Sequence, residues 1–209
     1  MINGSFNWTE DFVKVFEHWS VWFAIATAIF VGVIKSWKNI KKSLVSHDNF
    51  IQLHSEIHEL LTELRVLTDS ARTQVIQFHN GEYFMDGISM RKFSLTHESV
   101  EKGIESDGSR IQGYLCSMFL PLLQLLIEDN GKIRYPADLK DSYVKQYFES
   151  RNVEAFSLLP VKINNIITGF ILIQWCNSKI VDNLDDQYVR NEIKKITNSI
   201  TVQLSLQRK

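Results

Sequence analysis

The sequence predicts an α+β protein: an N-terminal transmembrane helix that continues into a long helical stalk, then an antiparallel sheet with helices packed on it. Three observations predict this. Sixteen uncharged residues, Trp19 to Ile34, form one apolar run. Apolar residues then recur at heptad spacing from Phe50 to Leu67. From about residue 74 the period shifts toward two, and the final segment returns to helical spacing. The 209 residues are 44% hydrophobic and 22% charged, with 3 Pro and 9 Gly, which excludes a disordered, collagen-like or disulfide-stapled chain. Lys and Arg total 23 against 24 Asp and Glu, a net charge of −1, so no general basic face for nucleic acid is expected.

The expected parts are a short extracytoplasmic tail (1–18), a transmembrane helix (19–37), a coiled-coil-like stalk (38–72) and an α+β domain (73–209). The uncharged run spans about 24 Å, short of the ~30 Å hydrocarbon core, and its flanks make up the difference. Trp19, Trp22 and Trp37 mark the interfaces, and Lys35 can snorkel to the headgroups. Glu10, Asp11 and Glu17 ahead of the run fit a removable signal peptide badly. Lys35, Lys38, Lys41 and Lys42 follow the span directly, which places the carboxyl domain on the cytoplasmic side of the inner membrane. Ala24, Ala28 and Gly32 repeat every four residues, a small-residue face that lets two membrane helices approach closely.

In the stalk, Phe50, Leu53, Ile57, Leu60, Leu64 and Leu67 are spaced 3, 4, 3, 4, 3. Such a seam suits pairing with a second copy, or packing on the chain's own domain. His54 and His58 lie four apart and nothing near them in sequence completes a metal site.

In the domain, Gln74 to His79 reads as a strand that Asn80-Gly81 turns, and Met90 to His97 as its successor. Glu101 to Arg110 has loop character. Ser117 to Glu128 is an apolar helix with Pro121 near its start and Gly131 after it. A short extended piece, Ile133 to Tyr135, precedes a helix carrying Val144, Tyr147 and Phe148, capped by Asp138 or Asp141. Ala155 to Ile163, the turn Asn164-Asn165 and Ile166 to Trp175 form the clearest hairpin, apolar on both faces. Leu184 to Leu206 is a terminal helix with Val189, Ile193, Ile196, Ile200 and Leu204 on one side. Cys116 and Cys176 fall in apolar runs and are expected to be small buried hydrophobes.

The order of elements resembles GAF-type sensory domains, relatives of the PAS fold. The residues that carry the likeness are Val75-Ile76-Gln77-Phe78-His79-Asn80-Gly81, Gly87, Lys92-Phe93-Ser94, Leu159-Pro160-Val161 and Ile167-Thr168-Gly169-Phe170-Ile171. The resemblance covers about residues 50–207. It implies an antiparallel sheet of about six strands with a pocket on one face, a small-molecule or protein ligand, and dimerisation through flanking helices. In layout the whole chain is also similar to the lysis-timing holins of T-even phages, with one span near the amino end and an α+β carboxyl domain. Tyr135-Pro136-Ala137-Asp138 and Asn165 to Trp175 carry that second likeness. Those holins place the carboxyl domain outside the cytoplasmic membrane, opposite to what the lysines at 35 to 42 imply here.

Catalytic types cluster near turns only as His79, His97 and Glu98, and sequence does not bring them within reach of one another. There is no Gly-rich phosphate loop, no Cys-x-x-Cys and no metal signature. A non-enzymatic protein without a cofactor is therefore expected. The loop from His79 to Gly87 mixes an imidazole, an amide, aromatic faces and acids between glycines, which suits ligand or partner contacts. The candidate binding residues are His79, Asn80, Glu82, Tyr83, Phe84, Arg91, Lys92 and His97. The reading is a membrane-anchored, dimeric sensor or regulator that binds a small ligand or protein partner; the alternative is a holin that oligomerises and opens the membrane.

Overall fold

The computed structural model describes residues 8–83, 89–128, 131–140, 142–177 and 187–206. The chain divides into two compact units, Met1–Ile51 and Gln52–Lys209. Helix α1 (Trp8–Leu67) begins in the first and contributes its last turns to the second. The strands and helices that follow are β1 (Arg72–Tyr83), β2 (Ser89–Val100), β3 (Tyr114–Leu115), α2 (Leu120–Glu128), β4 (Ile133–Arg134), α3 (Tyr143–Ser150), β5 (Ala155–Ile163), β6 (Ile166–Trp175) and α4 (Gln187–Leu206).

The strands make one antiparallel sheet in the order β3-β2-β1-β6-β5-β4. Its centre joins segments far apart in sequence, since β1 pairs with β6 from Arg72↔Gln174 to Gln77↔Gly169. Gly169 is required there: a Cβ would stand 2.3 Å from the Ile76 carbonyl oxygen. The β5–β6 hairpin turns at Asn164-Asn165, both left-handed (φ 52° and 63°), the geometry that matches strand twist.

Both faces of the sheet are buried. On one, Val75, Ile171, Ile173 and Trp175 pack under the end of α1 (Ile57, Leu61, Leu64) and under α4 (Ile196, Ile200, Leu204). The other face presents Ile76, Phe93, Phe156, Phe170 and Leu172 to the short helices α2 and α3 through Phe119, Leu122, Val144 and Phe148. Polar bonds lock α1 to the first face. Thr73 Oγ1 donates to the Leu61 carbonyl at 2.8 Å, and Trp175 Nε1 donates to that of Thr68 at 2.9 Å.

Several expectations change. Asn80-Gly81 is not the turn: β1 runs through it to Tyr83, with a register shift between Asn80 and Tyr83 that absorbs the dipeptide as a bulge. Ser142, not Asp138, caps α3, its hydroxyl accepting from the Lys145 amide; Asp138 ends a 3-10 turn, and Asp141 lies outside the described residues. The heptad seam faces the chain's own sheet. Ile57 and Leu64 are fully buried together with Leu61, an off-seam residue, while Leu60 and Leu67 pack beside them and Phe50 stays exposed. The stripe 57, 61, 64 follows the 3.6 period of a helix laid on a sheet, so these residues do not supply the expected coiled-coil contact with a second copy. The cysteines are part-buried rather than fully buried.

Among the described residues, no helix is long and apolar enough to cross a membrane, so the structure lends the expected transmembrane helix no support. The side chains of Ala24 and Ala28 lie outside the described residues, and a Cβ on Gly32 would meet nothing within 4 Å.

The packing of α1 is testable. Leu61→Ala should cost about 2–5 kcal/mol in urea unfolding, as a deletion in a closed core does, whereas exposed Phe50→Ala should cost little. The reverse ranking would restore the coiled-coil seam.

Candidate functional site

The chemistry-bearing side chains gather on the second face of the sheet, at the end where β1 begins and β6 finishes. Alternation along β1 points Arg72, Gln74 and Ile76 to this face, and register places Gln174 opposite Arg72 and Glu98 opposite Gln74. The segment between β2 and β3 lowers Asp107 onto them, and α3 adds Tyr147, with Arg151 just beyond its end.

Asp107 is fully buried. Its carboxylate accepts from the Gln74 amide at 3.1 Å and from the Tyr147 hydroxyl at 2.9 Å. Arg151 Nη2 lies 2.8 Å from Oδ1, and Arg72 Nε 3.9 Å from Oδ2. Arg72 donates to the Gln174 side chain and to the Glu105 carbonyl, and Gln174 donates to Gln74. Glu98 accepts from Gln74 at 2.7 Å and from the Asp107 amide at 3.1 Å. Two guanidiniums thus share one buried carboxylate, with Glu105 at the exposed rim bonded to Arg151 at 2.7 Å. The Arg151 hydrogen bond holds the Glu105 carboxyl below its usual range. Burial, reinforced by the neighbouring Asp107 charge, pushes the Tyr147 hydroxyl well above its ordinary value, so it stays a donor. Such a nest fastens the segment between β2 and β3 to the sheet and to α3.

Around the nest the second face is aromatic. Phe93 meets Phe119 edge-on at 4.9 Å and Phe170 at 6.2 Å, and Phe148 stacks on Phe156 at 4.5 Å. Cys116 packs against this cluster, and burial raises its thiol pKa, which keeps it protonated and unreactive.

The residues singled out from sequence separate into two places. His79 and Asn80 on β1 stand opposite Lys92 and Arg91 on β2, so four of the eight come together on the hairpin. His79 Nε2 lies 2.9 Å from Ser94 Oγ, and its ring is exposed. The side chains of Glu82 and Tyr83, and all of Phe84, lie outside the described residues. His97 sits at the other end of β2, opposite Val75. There its Nε2 is 2.6 Å from Nδ1 of His54 on α1, and the two rings lie nearly parallel. His54 and His58 thus gain an unforeseen imidazole neighbour, although among the described residues no group of three or more His, Cys, Asp or Glu is placed to hold a metal. Burial, with the nearby His54 and His58, lowers the His97 pKa from 6.5 to about 4. The nest itself was not anticipated. Its one legible signal is Gln74 and Gln174, polar residues in strands that are otherwise mostly apolar on that face.

Two outcomes follow. Asp107→Asn should cost about 3 kcal/mol in urea unfolding, the low end for breaking a buried ion pair because Glu105 still faces Arg151; Glu105→Gln should cost far less. His97 is neutral in the fold, so its contribution is complete above about pH 6.5 and is lost as pH falls toward 4. The fall in Tm across that window should be shallower in His97→Asn than in the parent.

No protein-family description matches the chain, and no curated protein matches it. Solved structures do. The phycocyanobilin-bound GAF domain of a cyanobacterial phytochrome is 14% identical, with a TM-score of 0.53, over 74% of this chain and 85% of that one. A GAF domain of a Synechocystis protein in its photoproduct state is 15% identical, TM-score 0.52, over 75% and 95%. The blue-light-absorbing form of the PixJ GAF domain of Thermosynechococcus elongatus is 15% identical, TM-score 0.50, over 77% and 91%. Neither these likenesses nor the structure supports the holin alternative. At such low identity the likeness speaks for architecture alone, and the architecture is that of a GAF-like domain: an antiparallel sheet covered by helices on both faces.

Proposed function

We propose that this protein is a non-enzymatic regulatory module, in which a GAF-like domain binds a small molecule and passes its occupancy to the helical segment ahead of it. One observation carries the reading. The last turns of α1 are built into the domain's core, with Ile57, Leu61 and Leu64 fully buried and backbone carbonyls of Leu61 and Thr68 held by Thr73 and Trp175 of the sheet. A ligand that prefers one sheet arrangement therefore has differential contacts with that helix end, the requirement for any population shift. The GAF domains it is similar to include a phycocyanobilin-bound and a phycoerythrobilin-bound one, which supports a small-molecule ligand here.

The segment before the domain is proposed as a membrane anchor, with the domain on the cytoplasmic side. Five of the six residues from Ile29 to Ile34 are large apolar side chains, all exposed. Consecutive positions on a helix cover its whole circumference, and a helix apolar all round needs lipid or protein about it. Tryptophans at 19, 22 and 37 and lysines from 35 to 42 fit the lipid choice.

Both halves are testable. Native mass spectrometry of the full chain purified from expressing cells should find a co-purified small molecule. Stripping it should lower Tm by several degrees and speed amide exchange in residues 57–67. Absence of a bound molecule, or exchange in 57–67 that ignores it, overturns the ligand reading. The full chain should pellet with membranes and be released by detergent but not by high salt; a chain that stays in the supernatant overturns the anchor.

A further inference from the structure

The other face of the domain carries an open groove of about 720 Å³ between α4 and the β4–β5 edge of the sheet, a size typical of small-molecule sites. Its floor is apolar, formed by Ile133, Leu159, Ile173, Ile193 and the edge of Trp175. Of these, Ile133, Leu159 and Ile193 are only half-buried, so their open surface faces the groove rather than closed core. The backbone narrows one side: Gly131 is left-handed (φ +81°), and a Cβ there would stand 2.9 Å from Leu159 Cδ2.

The rim is cationic. Lys132, Lys162, Arg190 and Lys194 line the groove and, among the described residues, no carboxylate does. Lys132 and Arg190 are already engaged in interactions of their own, so the charge most available to a ligand rests on Lys162 and Lys194, which form no ion pair among the described residues. The nearest acid along α4, Glu192, is engaged by Lys195 at 3.2 Å. Ser157, a buried hydroxyl on β5, adds a hydrogen-bonding group to the floor.

An apolar floor beneath two available ammonium groups matches one ligand chemistry. We propose that this groove binds an anionic amphiphile, a molecule with an apolar body along the floor and a carboxylate or phosphate head between Lys162 and Lys194. The apolar body supplies most of the affinity and the acid head its orientation and selectivity. The site borders α4, which shares its core with the end of α1 through Ile200, Leu204, Ile57 and Leu64. This rests on the ligand-binding reading above and adds to it a location and a chemical class.

The test is calorimetric titration of the full chain with octanoate, octyl phosphate and uncharged n-octanol. At least one acid should bind saturably, one per chain and at least tenfold more tightly than octanol; the two acids separate a carboxylate from a phosphate preference. Lys162→Glu with Lys194→Glu should erase that difference. Asn198→Trp, an exposed position lining the groove, should fill it and weaken binding of the acids at least tenfold. An unchanged Tm in these variants certifies the fold. Octanol binding as tightly as both acids, or acid binding indifferent to Asn198→Trp, overturns the groove. If a co-purified molecule nevertheless remains bound to Asn198→Trp, the regulatory reading survives and only this site fails.

Discussion

The sheet is apolar on both faces, and that single constraint organises the domain. An antiparallel sheet usually leaves one face to water. Here Val75 and Ile76, adjacent on β1, are both buried, as are Ile171, Leu172 and Ile173 on β6. Each such side chain stabilises the fold by about 1.5–3 kcal/mol only while covered. Two covers are therefore obligatory. One comes from the chain's two ends, α1 and α4, and the other from α2, α3 and the loop before β3.

The two covers are held by different physics. On the α1–α4 side the contact is aliphatic at its centre, with the Leu61 and Thr68 carbonyls held by Thr73 and Trp175. On the other side the loop is fastened through Asp107, and the partners of its carboxylate are specified in direction by Gln74, Tyr147 and Arg151. A buried ion pair contributes little net stability against an apolar alternative, but it penalises any arrangement that leaves a charge unpaired. The loop is therefore held by directed polar bonds, while the helical layer is held largely by apolar packing.

The aromatic face is closed by ring-on-ring packing from Phe93 to Phe156, with the nest at its end built from the chain's own charged and amide groups. The open, charged groove lies on the other side, next to α4, which shares a core with the end of α1. The open groove and the ion-paired nest thus lie on opposite faces of one sheet.

How much of this was legible in the sequence depends on the range of the interaction. Local signals sufficed for the α+β class, the β5–β6 hairpin with its Asn164-Asn165 turn, and the polar loop after β2. Each is decided by residues a few positions apart. Periodicity alone left the stripe on α1 open between a second copy and its own sheet, because 3.5 and 3.6 residues per turn differ by too little over three turns; only the buried Leu61 decided it. Asn80-Gly81 carried a turn signal that the longer β1–β2 ladder overrode. The His54–His97 contact and the groove were invisible, and the nest showed only as two glutamines, because they unite residues separated by tens of positions, from Arg72 to Gln174 and from Lys132 to Lys194. Sequence determined which segments would be helix or strand, since backbone preference and hydrophobic period are local; tertiary structure alone decided which polar groups meet, since that depends on the order in which strands are laid side by side.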